Sequence, residues 1–429
     1  MSYNFPVTNK FEARAVTELD FEIDPMNTKV YVDLDPVRGK DYLDRIKFNL
    51  NIDENRLYET TDTFTKILFS GHRGTGKTVE MRRFQQYIDH PERYFSVFIE
   101  IEKEMEVTSF QTEDIFVVFI AKLIEKIDAQ HIDFHSDYLD DILKEWLSEE
   151  TIQKELKDNF KVDLAAEVGA GASFFGFLKL KSVFKAIFSS ESATSRKIRR
   201  IIRKNPLRLI EKFNTILADL SSVLEQNSQG RDILFIFDGT EKMPYEIYKQ
   251  LFVKDSHLIR SLDVNMIFSV PINSFYDIKG SPSSEFFQTY TLPMLSVSQE
   301  SAQFLSQIIT RRIDTDTFLE KSVIQFCVEK SGGCIRQLIR TVNKALTVGL
   351  GLKITMAIAK KSVDELGRAM IDRLDSDHLK ILNEKKYDVA DSKVLELMFS
   401  LVVLKYNGER KVNPLLDNLL GNNRKIHFA

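Results

Sequence analysis

The chain has 429 residues, of which 43% are hydrophobic and 28% are charged, a composition typical of soluble globular proteins. This length exceeds what one hydrophobic core usually fills, so we expect two or three domains. The formal net charge of −4 excludes a general electrostatic attraction to nucleic acid and leaves only local basic surfaces for such a role.

The cellular compartment follows from features that the sequence lacks. Its N-terminus does not have the basic and then apolar pattern of a secretory signal, and no run of about 18 uncharged apolar residues could span a membrane. Its two cysteines, Cys327 and Cys334, lie in an apolar helical stretch. They are typical of buried thiols in a reducing compartment, so we expect a cytoplasmic protein without a membrane span.

The first strong pattern in chain order is a strand, a glycine-rich loop and a helix. Residues 67–70 resemble a buried strand and lead directly into Gly71-His72-Arg73-Gly74-Thr75-Gly76-Lys77-Thr78. Glycines at this spacing let successive backbone N–H groups converge on one phosphate, and the following helix adds its positive end. Lys77 is then expected to reach the β- and γ-phosphates, and Thr78 to ligate Mg²⁺. The loop therefore predicts binding of a nucleoside triphosphate.

A long insertion separates this loop from the next motif. Residues 113–158 are helical in pattern, and the alternation at 160–164 and 177–183 predicts a hairpin or an extended flap. Its phenylalanines, Phe174, Phe175 and Phe177, would either bind a partner or pack on their own domain.

The most basic segment of the chain, residues 196–204, also lies in this insertion. Its arginines recur three and four residues apart, which predicts one helical face opposite Ile198, Ile201 and Ile202. That face could contact nucleic-acid phosphates, acidic residues of a neighbour, or only solvent.

An apolar run at residues 233–237, followed by Asp238, predicts a strand buried on both faces of a parallel sheet. Asp238 would lie at the carboxyl edge of the sheet, where α/β proteins gather ligand-binding groups. It is therefore a candidate Mg²⁺ ligand. The alternative is that this aspartate caps the following turn and has no other role.

The remaining strands and helices complete a division into three parts. Strands at 264–271, which contains Ser269, and at 290–295, an edge strand because of Pro293, end an α/β core at about residue 297. Residues 298–365 are helical, with a break at Ser331-Gly332-Gly333. In residues 366–429, helical patterns precede two strand-like runs joined by Asn407-Gly408, a strong hairpin pattern that suggests a winged helix. The predicted domains are thus 1–297, with the insertion at about 103–230, then 298–365, then 366–429.

Together these motifs resemble AAA-type P-loop ATPases, especially the STAND and origin-initiator-like branches, over roughly residues 25–425. Three segments carry the resemblance: Gly71–Thr78, Ile233–Glu241 and Gly332–Leu338. It implies ATP and Mg²⁺ as cofactors and residues 298–365 as a lid. It also implies that Arg336 reaches the γ-phosphate from that lid and that Ser269 senses the same phosphate. Many members place glutamate directly after the acidic-strand aspartate, where this chain has Gly239, so the resemblance moves the water-orienting role to Glu241.

The predicted function is a slowly hydrolysing, ATP-dependent regulatory switch with Lys77, Asp238, Glu241 and Arg336 in the catalytic site. The resemblance implies a prokaryotic antiviral-defence role in which the switch controls a partner effector. The alternative is a DNA-binding initiator or loader-like ATPase that uses the winged helix and residues 196–204. A homo-oligomer is also expected, in which Arg311, Arg312 or the basic segment completes a neighbour's site.

Overall fold

Five parallel strands form the central sheet in the described part of the chain, in the order β4-β5-β6-β3-β7. The computed structural model describes residues 3–58, 63–147, 150, 154, 187–188, 193–277, 287–388 and 391–422. In chain order the strands are β1 Ile52–Asp53, β2 Arg56–Leu57, β3 Lys66–Gly71, β4 Tyr94–Glu100, β5 Asp232–Asp238, β6 Asn265–Pro271, β7 Gln288–Thr291, β8 Val403–Lys405 and β9 Arg410–Val412. The predicted α/β core with a parallel sheet is confirmed.

The helices cover both faces of the sheet and then continue as a separate layer. Those up to the end of the insertion are α1 Lys10–Ala15, α2 Asp35–Arg38, α3 Asp41–Asn49, α4 Lys77–Ile88, α5 Ile101–Glu104, α6 Thr112–Ala129, α7 Asp137–Trp146, α8 Ala193–Lys204 and α9 Pro206–Gln226. Those that follow β5 are α10 Tyr245–Lys249, α11 Ser256–Arg260, α12 Gln299–Thr310, α13 Thr315–Phe318, α14 Lys321–Ser331, α15 Ile335–Val348, α16 Met356–Ile371, α17 Ser376–Asn383, α18 Ser392–Phe399 and α19 Asp417–Asn422.

The sheet is buried on both faces because its strands are nearly continuous apolar runs. One face packs against α6 and α9 of the insertion, where the ring of Phe119 stacks on Phe235 with centroids 3.6 Å apart. The other face packs against α3 and α4. Among the described strands β7 pairs only with β3, so it is an edge strand as predicted, although it ends at Thr291, before Pro293. The sheet is therefore a fixed platform whose carboxyl edge carries the phosphate loop and Asp238.

The lid core has a second contributor that the sequence did not reveal. The N-terminal residues Val7, Ala13 and Val16 pack with Leu305, Leu338 and other apolar side chains of the helices α12 to α16. Helix α16 also continues to Ile371, across the predicted boundary at 365/366. The helices of residues 298–365 are thus in contact with the N-terminal segment and continuous with the C-terminal part of the chain.

The C-terminal hairpin is confirmed. Strands β8 and β9 pair antiparallel around Asn407-Gly408, and α17 and α18 pack with them in one apolar cluster. The predicted hairpin at 160–164 and 177–183, with its phenylalanines, lies outside the described residues.

The basic segment differs from its prediction at Arg199, which does not lie on an exposed face. Its guanidinium donates two hydrogen bonds of 2.7 Å to the buried carboxylate of Asp114. One turn later, Arg203 pairs with Glu113 at 2.6 Å. The helical spacing was right, but this face packs against α6, whose first turn carries both carboxylates. Two arginines of the cluster therefore hold the insertion together.

This difference in burial predicts different stabilities for two matched variants. Arg199→Met leaves the Asp114 carboxylate buried without its partner, and we expect a loss of about 3 kcal/mol in the free energy of unfolding. Arg203→Met removes a pair whose arginine is 65% exposed, and it should cost less than about 1 kcal/mol. Chemical denaturation measures both, and equal losses would contradict the structural role of Arg199.

Candidate functional site

The loop at residues 71–78, called the phosphate loop after its predicted role, connects β3 to α4. Gly74 and Gly76 have φ angles of +81° and +96°, a region that favours glycine. The Lys77 ammonium is 4% exposed and donates to the carbonyls of Gly71 and His72 at 2.9 and 3.1 Å. Burial lowers the pKa of Lys77, while the nearby Glu241 and Asp238 carboxylates oppose that shift. The loop thus holds one buried positive charge at its centre.

Asp238 ends β5 beside this loop and has the properties of a metal ligand. The Thr78 side chain hydrogen-bonds to its carboxylate, yet its Oδ1 atom is buried without a hydrogen-bond partner. Burial, and next the charge of Glu241, raise the pKa of Asp238 to about 7. An unpaired carboxylate oxygen beside a threonine hydroxyl fits Mg²⁺, which takes few protein ligands and keeps several waters. The described residues contain no group of three or more His, Cys, Asp or Glu that could hold a metal alone.

Glu241 lies in the short helical turn after Asp238, and Ser269 orients it. Ser269 Oγ donates to Glu241 Oε2 at 2.5 Å and accepts from the Gly239 N–H at 2.9 Å. Burial opposes ionisation of Glu241, but the Lys77 charge and the Ser269 hydrogen bond outweigh it and lower the pKa. Gly239 makes this turn possible with a φ of +91°.

Ser269 itself lies behind this turn and not in the cavity wall. It belongs to β6, opposite Phe69 of β3, so the central strand places it between the two motifs. Sequence reasoning expected it to contact the nucleotide, whereas its hydroxyl is engaged with Gly239 and Glu241.

The predicted lid, residues 298–365, contacts the phosphate loop through its backbone. The Arg336 N–H donates to the Gly74 carbonyl at 3.0 Å, and a Cβ atom added to Gly74 would lie 2.0 Å from the Arg336 Cβ. Glycine is therefore favoured at position 74 for two reasons: its positive φ angle and the close approach of α15. Burial and the neighbouring Arg73 charge lower the pKa of Arg336.

These groups line one cavity of about 360 Å³ at the carboxyl edge of the sheet. Its lining includes Lys77, Thr78, Asp238, Glu241 and Arg336, so the structure brings together the four predicted catalytic residues. A cavity of this size is in the range of small-molecule sites.

Two parts of the cavity wall were missed by sequence reasoning. Residues 18–23 of the N-terminal segment and the end of the first lid helix, at Arg312, also line it. Neither part has a local motif. Residues 18–23 follow the segment Val7–Val16, which packs on the helices of residues 298–365. Moreover, Arg312 Nη1 donates to the Ile308 carbonyl at 2.6 Å, while its Nε is buried without a hydrogen-bond partner, and Arg311 donates to the Thr28 carbonyl at 3.0 Å. Both arginines are thus engaged within their own chain, which argues against the predicted contact with a neighbour's site.

The side chains of His72 and Arg73 contact the C-terminal part of the chain. His72 Nε2 accepts a hydrogen bond from the Lys405 N–H at 2.7 Å, and the Arg73 guanidinium lies 5.4 Å from the centre of the Phe399 ring. Burial and the charge of Lys77 lower the pKa of His72 to about 3. A neutral imidazole is required here, because Nε2 must accept the hydrogen bond.

Comparisons with solved structures give distant likenesses. The Walker-type ATPase PABY2304 of Pyrococcus abyssi has a TM-score of 0.45 and 13% identity, over 94% of this chain and 99% of that one. Cdc6p from Pyrobaculum aerophilum has a TM-score of 0.40 and 12% identity, over 93% and 96%. The RuvB Holliday junction branch migration motor of Thermotoga maritima has a TM-score of 0.39 and 11% identity, over 91% and 98%.

No protein-family model and no curated protein sequence matches the chain. At such distances a structural likeness carries no assignment of function. The candidate site is therefore defined by the distances and burial given above. None of the described helices has the combined length and hydropathy that a membrane span requires.

The raised pKa of Asp238 predicts how stability depends on pH in the absence of metal and nucleotide. Its pKa is about 7 in the folded chain, against 3.8 for an ordinary aspartate. Between these values the folded state holds a proton that the unfolded state releases, so the contribution of Asp238 to stability falls as pH rises. Asp238→Asn cannot ionise, and we expect it to gain at least about 1 kcal/mol relative to the parent between pH 5 and pH 8. Urea denaturation in EDTA at both pH values measures this gain, and a constant difference would contradict the assigned pKa.

Proposed function

We propose that the chain is an ATP-binding and ATP-hydrolysing regulatory switch. The observation that supports it most directly is the meeting of Lys77, Thr78, Asp238, Glu241 and Arg336 in one cavity at the carboxyl edge of a parallel sheet. Phosphoryl transfer depends on positioned charges more than on covalent chemistry, and this set provides them. ATP, not GTP, is proposed from the family resemblance, since the sequence has no guanine-specific Asn-Lys-x-Asp motif.

Each residue has a role that follows from its position. The loop amides and Lys77 bind the phosphates, and Thr78 and Asp238 would hold Mg²⁺, which neutralises charge on the phosphates when bound. Glu241, ionised and fixed by Ser269, orients the attacking water. Arg336 approaches from the lid and adds positive charge near the γ-phosphate. We propose that Ser269 acts through Glu241 and Gly239. We also propose that hydrolysis is slow because the water-orienting glutamate is Glu241 and not the residue directly after Asp238.

The switch is proposed because the phosphate loop and the lid both contact the C-terminal hairpin. Besides the contact of His72 with Lys405, the Tyr406 hydroxyl donates to the Gly332 carbonyl at 2.6 Å, at the break before α15. A change in lid position that accompanies the γ-phosphate would strain these contacts together. We propose that residues 366–429 form a winged-helix module whose docking depends on the nucleotide.

The biological role is proposed from the resemblance alone: a prokaryotic antiviral-defence ATPase that controls a partner effector. A homo-oligomer remains part of this proposal, with the trans cation supplied by a residue other than Arg311 or Arg312. The alternative DNA-binding role loses support, because Arg199 and Arg203 of the basic segment form ion pairs within the chain.

Nucleotide binding is tested with Lys77→Ala. Removing the buried charge from the phosphates should abolish measurable ATP binding in calorimetry, while the protein remains folded. Lys254→Ala is the matched control, since this lysine is exposed and does not line the cavity. Unchanged affinity in Lys77→Ala would exclude the phosphate-loop assignment.

Hydrolysis is tested with Glu241→Gln. The amide has nearly the same shape, so ATP binding should persist while hydrolysis slows by about 10²-fold. Glu246→Gln, whose side chain is 79% exposed, is the control and should hydrolyse ATP at the parental rate. A parental rate in Glu241→Gln would mean that another group orients water.

The same variant separates a switch from a motor. In Glu241→Gln, ATP should stay bound, and the hydrogen exchange of residues 403–412 should keep the pattern of the ATP-bound protein. A switch that is active with ATP bound would therefore remain active. A motor would instead stop, because it needs repeated cycles. Identical exchange of the hairpin with ATP and with ADP would contradict the proposed coupling.

A further inference from the structure

A second cavity of about 940 Å³ adjoins the nucleotide cavity, and Arg73 and Lys242 line both. Its walls are the turn after β5 (Met243–Tyr245), the turn after β6 (Pro271–Asp277) and helix α18. Its volume is in the upper range for sites that hold a small molecule. Because α18 belongs to the C-terminal module, the cavity lies between that module and the sheet.

Two polar groups of this cavity have unused binding capacity. Arg73 has no carboxylate within ion-pair distance among the described residues, and its recorded contact is the Phe399 ring. Asn273 Oδ1 is buried without a hydrogen-bond partner. A buried acceptor without a donor destabilises the folded protein, because it has lost its hydrogen bonds to water.

The two carboxylates of the lining, in contrast, are already engaged. Asp277 accepts from the Tyr245 hydroxyl at 2.6 Å. Glu396 lies 3.1 Å from His378 Nε2 and 3.4 Å from Lys393 Nζ. The groups of the cavity that can still bind a ligand are therefore the positive charge of Arg73 and the hydrogen-bond acceptor of Asn273. They lie beside an apolar wall formed by Met243, Pro271, Leu395 and Phe399.

We propose that this cavity binds a small effector: a phosphate or carboxylate that carries a flat ring and an N–H or O–H donor. Arg73 binds the anionic group, since a guanidinium matches both oxyanions. Asn273 Oδ1 accepts from the donor, and the ring lies against Phe399 and Leu395. The nucleotide in the first cavity is a separate ligand.

The shared arginine makes the two sites compete. An effector anion and the γ-phosphate both attract Arg73, so each ligand weakens the binding of the other, and the coupling is reciprocal. This part rests on the proposed function, whereas effector binding itself does not.

Calorimetry on the full chain, with Mg²⁺ and a saturating non-hydrolysable ATP analogue, tests effector binding. The probes are AMP and indole-3-acetate as ring-bearing anions, adenosine as a ring without the anion, and inorganic phosphate as an anion without the ring. At least one ring-bearing anion should bind once per chain, about tenfold more tightly than adenosine and phosphate, which corresponds to about 1.4 kcal/mol. Failure of both ring-bearing anions, or equal binding of adenosine or phosphate, would overturn the proposal.

Two tryptophan variants locate the binding site. Ser392 begins α18 at the cavity rim, and Ser376 begins α17 outside the lining; each is exposed and follows an aspartate cap. Ser392→Trp should weaken the bound probe at least about tenfold, and Ser376→Trp should not. Equal affinities in both variants would place the probe elsewhere. If the analogue did not bind, the proposed function alone would fail, because the two variants would still report on the second cavity.

The coupling is measured by comparing protein loaded with the ATP analogue and protein loaded with ADP. The probe should bind the ADP-loaded protein about fivefold more tightly, because no γ-phosphate competes for Arg73. Equal affinity would refute the competition while leaving effector binding intact.

Discussion

The site depends on one buried arrangement of charge, in which a single ammonium lies among two carboxylates that are themselves removed from water. Lys77, Asp238 and Glu241 are each 6% exposed or less. Burial opposes the charge of each group, and the arrangement is tolerable because the Lys77 ammonium lies near both carboxylates. Burial and the Glu241 charge raise the pKa of Asp238 to about 7, so this carboxyl is only partly ionised near neutral pH. A divalent cation with triphosphate is the kind of ligand that completes such a set.

The surrounding structure holds these charges in place. The central strand β6 separates the loop strand β3 from the acidic strand β5, and its Ser269 fixes the turn that carries Glu241. From the other side, the lid contacts the loop at Gly74, where only a residue without a side chain allows α15 so close. The C-terminal hairpin then contacts the loop at His72 and the lid at Gly332. Loop, lid and hairpin thus share contacts, which is what a nucleotide-dependent change in docking requires.

Structure could be predicted from the sequence wherever a local pattern of residues determines it. Strand β5 could be predicted because an unbroken apolar run fits only a strand buried on both faces, and the loop at 71–78 because glycine and lysine spacing reflects phosphate geometry. The sequence was insufficient wherever a side chain's environment comes from distant residues. The burial of Arg199 depends on Asp114, and the cavity wall at 18–23 depends on packing of the N-terminus on the lid. For the same reason Ser269 could be found as a polar residue on the right strand, but not as the partner of Glu241.

The insertion also bears on the site, because it is part of the core and not an appendage. Phe119 of α6 stacks on Phe235, three residues before Asp238 on the same strand, and Phe237 stacks on Phe268 next to Ser269. Close-packed interiors transmit displacements, since they have little free volume to absorb them. The Arg199–Asp114 pair fixes α8 to the start of α6, so a force on the described part of the insertion acts on the strand that carries Asp238. A partner that binds the insertion therefore has a physical route to Asp238 that does not pass through the lid.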